Sequence, residues 1–245
     1  MSILFNGTNN YINCGSPSLL DNIFENGATI MAWIYPIGWG GGGLGRIISK
    51  TSGSPTFGNG WSFHLSETDG SFGNAESFIF SHTTNSSFGS WTAPDNTLSL
   101  NSWHHVAASF NKDSNNNTPL LYRNGVALSV EEKNSPKGPF SDDSSNSMLL
   151  GGTVDGSRTF NGIQEDLRIY NRILTVSEIQ LIYHSIGVDS ILQDLVARWP
   201  FVGLGPGTAA TSSISDLSGN SLHGTPVNSP FFQQGIIRTN KVRYF

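Results

Sequence analysis

Thr29-Ile30-Met31-Ala32-Trp33-Ile34-Tyr35-Pro36 is apolar on both alternating sets, with Ile30, Ala32 and Ile34 on one face and Met31, Trp33 and Tyr35 on the other. Such a strand belongs in the middle of a sheet that is covered on both sides. Around it, apolar period two recurs between clusters of Gly, Asn, Ser and Pro, the pattern of many short strands joined by turns. Arg46 to Lys50, Trp61 to Leu65 and Phe78 to Phe80 read as further strands. Trp103 to Phe110 places His104, Val106, Ala108 and Phe110 on one face, and the apolar members of that set turn toward the core. Leu120 to Val126 holds Asn124-Gly125 between apolar runs. Both residues tolerate the positive φ of a type I′ turn, so a hairpin closes there. Ile163, Leu167 and Ile169 alternate with Gln164, Asp166, Arg168 and Tyr170, which predicts a half-buried strand.

One helix follows. Thr175 caps it, Glu178 three residues on completes a capping box, and Leu174 with Ile179 stands at the staple positions, so the spacing predicts helix over 176–183. A weaker helical turn is read over Ser190 to Asp194, leading into the strand Leu195 to Trp199 before Pro200 interrupts it.

The chain has 245 residues, 37% of them hydrophobic and 13% charged, which suits one large sandwich with many turns. A net charge of -5 excludes the nucleic-acid binders, whose clustered basic surface must displace phosphate counterions. A single cysteine, Cys14, allows no intrachain disulfide. No basic segment leads into a long apolar run, so neither a signal peptide nor membrane insertion is expected.

Taken in order, Leu4-Phe5-Asn6-Gly7 with Tyr11-Ile12, the 29–36 and 46–50 strands, Leu100 to Ala107, Leu121 to Gly125, and Phe160-Asn161-Gly162 running into Asp166 to Arg172 resemble the laminin-G-like, concanavalin A-like lectin and glucanase domain. The resemblance implies an all-β, two-sheet antiparallel jelly-roll sandwich. One segment departs from the family's layout. Leu195 to Phe201, followed by Asp216 to Thr225, resembles the strands that normally open such a domain, and here they close it. Two readings follow, a circular permutation or the truncated start of a second repeat. Permutation is preferred, because the chain begins at the family's second landmark and because the termini of compact domains often lie close together. Residues 1–245 are then one domain, with 195–245 supplying the opening strands.

Glucanases of this fold carry their paired carboxylates as Glu-x-Asp-x-x-Glu on one strand, and no such run exists here. Glu165-Asp166 comes nearest, but neighbours on a regular strand point to opposite faces. No enzyme is expected. Gly38 to Gly45 lacks the Gly-Lys-Ser/Thr ending of a phosphate loop and reads as a mobile loop, while the six histidines show no metal spacing. The resemblance also implies calcium, with Asp166, Asp216 and Asn220 at the matching positions. The competing reading is that Asp216 and Asn220 only bond their own turn. Of six tryptophans, Trp33, Trp103 and Trp199 read as core. Trp39 and Trp91 fall beside Gly, Ser and Pro in loops, where an exposed ring stacks on a sugar or folds back as a lid.

The expected function is that of a non-enzymatic structural or adhesive surface protein in a larger assembly, a phage virion decoration or fibre-associated protein, with glycan binding. A free-standing carbohydrate-binding module is the alternative. The expected partners are proteins of that assembly, cell-surface polysaccharide, or further copies in a homo-oligomer. Its expected place is a virion or an extracellular surface. The mixed apolar and basic run Ile236 to Phe245 reads as an edge strand or an arm added to a neighbour's sheet.

Overall fold

The computed structural model describes residues 1–52, 58–203 and 205–236. In chain order its strands begin with β1 (Ser2–Asn6), β2 (Tyr11–Asn13), β3 (Ala28–Gly38), β4 (Arg46–Thr51), β5 (Gly60–Ser66), β6 (Ser77–Thr83), β7 (Phe88–Thr92) and β8 (His104–Phe110). There follow β9 (Leu120–Arg123), β10 (Val126–Ala127), β11 (Glu131–Asn134), β12 (Leu149–Leu150), β13 (Asn161–Tyr170), the helix α1 (Val176–Ser185), β14 (Leu195–Trp199), β15 (Thr225–Val227) and β16 (Phe231–Gln233). They form two eight-stranded sheets. The first runs β10-β9-β8-β3-β13-β1-β16 with β14 also on β13, and the second runs β11-β7-β6-β5-β4-β12-β2-β15.

β3 lies inside the first sheet between β13 and β8. Ile30, Ala32 and Ile34 join the core between the sheets with Val106, Ala108, Phe110, Leu167, Ile169, Trp61, Phe63, Phe80 and Trp91. On its other face Met31 joins a smaller cluster with Ala107, Tyr122, Tyr170, Leu174, Ile179 and Ile182, roofed by α1. Trp33 on that face stacks on Tyr183 of the helix, centroids 5.4 Å apart. The double apolar pattern of 29–36 therefore has two covers, the opposite sheet and the helix.

The helix is held as its sequence prescribes. Thr175 Oγ1 accepts from the Glu178 amide, and Glu178 Oε2 accepts from the Thr175 amide. Ile186, at φ 46°, ends it. Asn124 and Gly125, at φ 51° and 78°, turn β9 into β10.

Four expectations need correction. β13 is not one uninterrupted alternation: Glu165 faces Trp33 and Arg168 faces Met31, so three steps on β13 match two on β3. Asp166, at φ 47°, is the extra residue. The phase reverses there. Gln164 points across to the second sheet and donates to the Ile47 carbonyl, while Ile163 is half-exposed. Residues 190–194 contain no helix, only a turn at 193–194. Trp103 precedes β8 and lies half-exposed against Tyr35, 5.6 Å away, so it is not core. The 38–45 segment is pinned, with Gly41 N donating to Thr159 O, Glu67 N to Gly43 O and Leu65 N to Gly45 O. A Cβ on Gly41 would meet the Ser157 carbonyl oxygen at 2.2 Å, which is why glycine stands there. Of the run Ile236 to Phe245, all but Ile236 lies outside the described residues.

Candidate functional site

Trp91 is not a loop residue. It lies in β7, fully enclosed, with Nε1 donating to Glu132 Oε2 at 3.0 Å and its ring 5.2 Å from that of Phe110. Gly89, two residues earlier on the same face, makes the room, because a Cβ there would stand 2.1 Å from the indole. Trp39 is half-buried and packs against the core at the glycine-rich loop. Trp91 therefore offers no open face for a sugar, whereas Trp39 keeps part of its surface exposed.

Asp166, Asp216 and Asn220 do not form a calcium cage. Asp166 Oδ1 accepts from Arg198 Nε at 2.6 Å, and its Oδ2 accepts from Arg168 Nε and Nη2 at 3.0 and 2.5 Å. Asp216 Oδ1 takes the amides of Arg198 and Ser218, and Oδ2 takes Ser218 Oγ and the Leu222 amide. Asn220 turns its Nδ2, a donor, to the Val196 carbonyl at 2.8 Å. Both carboxylates thus bond Arg198, Asp166 its guanidinium and Asp216 its backbone amide, and the cation that Asp166 meets is a guanidinium. Among the described residues no three of His, Cys, Asp or Glu converge in a way that could hold a metal. The residues present do not fit calcium.

Glu165 and Asp166 are likewise engaged. Glu165 receives the Met1 amino group at 3.2 Å and the Ile236 amide at 2.6 Å. The two carboxylates are therefore held by cations and amides instead of facing a cleft as an acid and base pair would.

An open groove of about 610 Å³ lies at the other end of the sandwich. Its walls are the connection from β8 to β9, with Lys112, Asp113, Ser114, Asn115 and Asn116, and the turn Gly138-Pro139-Phe140 with Glu25 beside it. Sequence-distant loops form one wall system because Asn115 Nδ2 donates to the Gly138 carbonyl at 2.9 Å and the Lys112 amide donates to the Phe24 carbonyl. Lys112 Nζ is fixed by Asn22 Oδ1 at 2.7 Å and lies 3.7 Å from Glu25 Oε1. Asn117 Nδ2 holds Asp113 Oδ1 at 2.7 Å. Phe140 stands edge-on to His82 and Phe110, at 4.9 and 5.7 Å, so its ring is set by the core. Apart from Asn116-Asn117-Thr118, which has the form of a glycosylation acceptor and reads as chance in an Asn- and Ser-rich chain, none of these residues carried a motif in the sequence.

Residues 6–180 match the model of the concanavalin A-like lectin/glucanases superfamily. The chain belongs to this superfamily. Its fold is shared with a protein from Bacteroides ovatus described as carbohydrate binding, at 17% identity and a TM-score of 0.65. That match covers 95% of this chain but 59% of the Bacteroides protein, so the chain spans well under two thirds of it. The native heptameric SAP-like pentraxin of Limulus polyphemus matches at 16% identity and a TM-score of 0.53, covering 76% of this chain and 83% of the pentraxin. No curated protein matches the chain. The superfamily member described here thus has a lectin-like fold, and at 16 and 17% identity its likeness to these neighbours is one of fold alone.

Proposed function

We propose that the protein is a non-catalytic carbohydrate-recognition module that holds a glycan in the groove between the 111–117 and 137–140 loops. The observation that carries this reading is the groove's lining. An ammonium, two carboxylates and two amides surround one fixed phenyl ring in a concavity of about 610 Å³. Sugar hydroxyls need donors and acceptors at close spacing, and the C–H face of a pyranose packs on an aromatic ring. The expected ligand is a polysaccharide of a cell surface. A role as a virion decoration or fibre-associated protein draws no support from the comparisons and is not part of this proposal.

The test is a glycan array, followed by titration of any hit against Asn116→Ala and Asp113→Ala. Each removes about one hydrogen bond to the sugar, worth about 1 kcal/mol, so each should weaken binding roughly fivefold; Asn116→Ala should leave the melting temperature unchanged, while Asp113→Ala also gives up the bond from Asn117 Nδ2. Binding untouched in the double variant would place the glycan elsewhere, and an array without hits would reject the reading.

A further inference from the structure

Lys50 is a buried lysine at the end of β4. It pairs with Trp61 in the β4–β5 ladder, on the side that faces the opposite sheet, and its side chain has no exposed surface. Its Nζ donates to the Asp143 carbonyl at 2.5 Å, to Asp21 Oδ1 at 3.0 Å and to Ser16 Oγ at 3.3 Å, and lies 3.2 Å from Asp143 Oδ1. The Asp143 side chain is also fully enclosed. Its Oδ1 accepts the Asn22 amide at 2.8 Å, and its Oδ2 has no hydrogen-bond partner. A carboxylate oxygen left this way in a dry site is costly, whereas the same oxygen as a hydroxyl on a neutral acid is less so.

We propose that Lys50 and Asp143 join in an isopeptide bond, formed by the chain itself with Asp21 as the proton carrier. Each reacting atom has its partner in place. Asp21 takes a proton from the ammonium, and the freed lone pair of Nζ adds to the Asp143 carboxyl carbon. Negative charge gathers on Oδ1, where the Asn22 N–H holds it as a single oxyanion donor. The C–Oδ2 bond breaks. Oδ2 leaves as water with its own hydrogen and one proton from the nitrogen. The nitrogen's other surplus proton stays on Asp21, whose side chain is 23% exposed and passes it to solvent. No oxidant or co-reactant is required. Burial pushes the Asp143 carboxyl above its ordinary value, against the pull of the Asn22 amide and of Lys50, and so favours the acid form that can lose water. The product has no buried ions at the two atoms it joins.

Intact-mass spectrometry of the full chain decides the question. The protein should be lighter than its sequence by one water, and a digest should yield one branched peptide joining the Lys50 and Asp143 segments. Lys50→Met and Asp21→Asn should both keep the full mass, with folding checked by circular dichroism. A wild-type mass equal to the sequence, or a lost water mapped elsewhere, overturns the bond. A lighter Asp21→Asn protein overturns the role of Asp21.

Discussion

His64, His82 and His105 sit inside the protein with imidazoles that water does not reach. His64 is bracketed by the Leu65 carbonyl and Ser81 Oγ, each 3.1 Å away. His82 faces Phe24 and Phe140, and His105 lies beside the stacked pair Trp33 and Tyr183. Burial lowers all three pKa values, to about 3 for His82 and His105 and well below the usual range for His64, where Arg46 adds repulsion. A group whose folded pKa lies below its unfolded one binds its proton more weakly in the native state. Stability is then whole above the unfolded value of about 6.5 and is lost as pH falls toward the folded one. Each histidine should remove about 1.4 kcal/mol per pH unit once below that window's upper edge. Ordinary carboxylates contribute only near pH 4, but Asp143, raised by burial, gains stability as pH falls, so the comparison of wild type with His105→Gln between about pH 6.5 and 5 isolates an imidazole. Urea midpoints taken across that interval should fall steadily, with His104 also lowered by burial, and His105→Gln should flatten the slope by one histidine's share, about 1.4 kcal/mol per pH unit. A flat wild-type profile would mean that the imidazoles reach solvent.

The bulge in β13 shows how an element can depart from its own sequence pattern. Ile163, Leu167 and Ile169 are spaced for one face, and nothing in the local sequence marks Asp166 as an inserted residue. What fixes the bulge is remote. Arg168 and Arg198 stand directly opposite each other across the β13–β14 pair, and two like charges there repel. Asp166 holds both, and Asp189 holds Arg168 a second time. Burial alone would lower the Arg168 pKa, but Asp166 and Asp189 outweigh it and raise it, so the residue stays charged. Asp166→Ala should leave the two guanidinium groups facing each other with one carboxylate between them. The expected loss is about 3 kcal/mol, the low end for breaking a buried pair because Arg198 is partly exposed, read as a fall in urea midpoint. An unchanged midpoint would show the ion cluster to be energetically idle. The helix is the opposite case. Thr175 and Glu178 are three residues apart and satisfy one another, so the sequence alone declares the cap. The groove was illegible for the same reason as the bulge, since Glu25, Asn116 and Phe140 come from three separate connections that only the folded sheets bring together.

At the scale of the molecule, the alternation of short strands was enough to announce two packed sheets, but it left open how the segment from Leu195 onward relates to the rest. In the fold, β14 pairs with β13 over Leu167 to Tyr170, and β1 pairs with the same edge of β13 over Asn161 to Gln164. Both run antiparallel to β13, so Leu195 to Trp199 and Ser2 to Asn6 follow one another in a single line and direction. β16 extends the first sheet beyond β1, and β15 pairs with β2 in the second. Glu165 fastens the junction, receiving the Met1 amino group and the Ile236 amide. We propose that the segment stands in for the family's opening strands, joined in reverse order, and is part of the same cooperative unit. Trp199 and Phe232 lie in the common core, so removing 195–245 should expose their neighbours and abolish the single unfolding transition in calorimetry. A truncated chain with an unchanged melting curve would refute the proposal. A permutant supplies the positive arm: a flexible linker from Phe245 to Met1, with new ends between Gly187 and Val188, interrupts none of the strands of the described residues. It should still unfold in a single transition, below the parent's, because the linker turns the Met1 ammonium that meets the buried Glu165 carboxylate into a neutral amide.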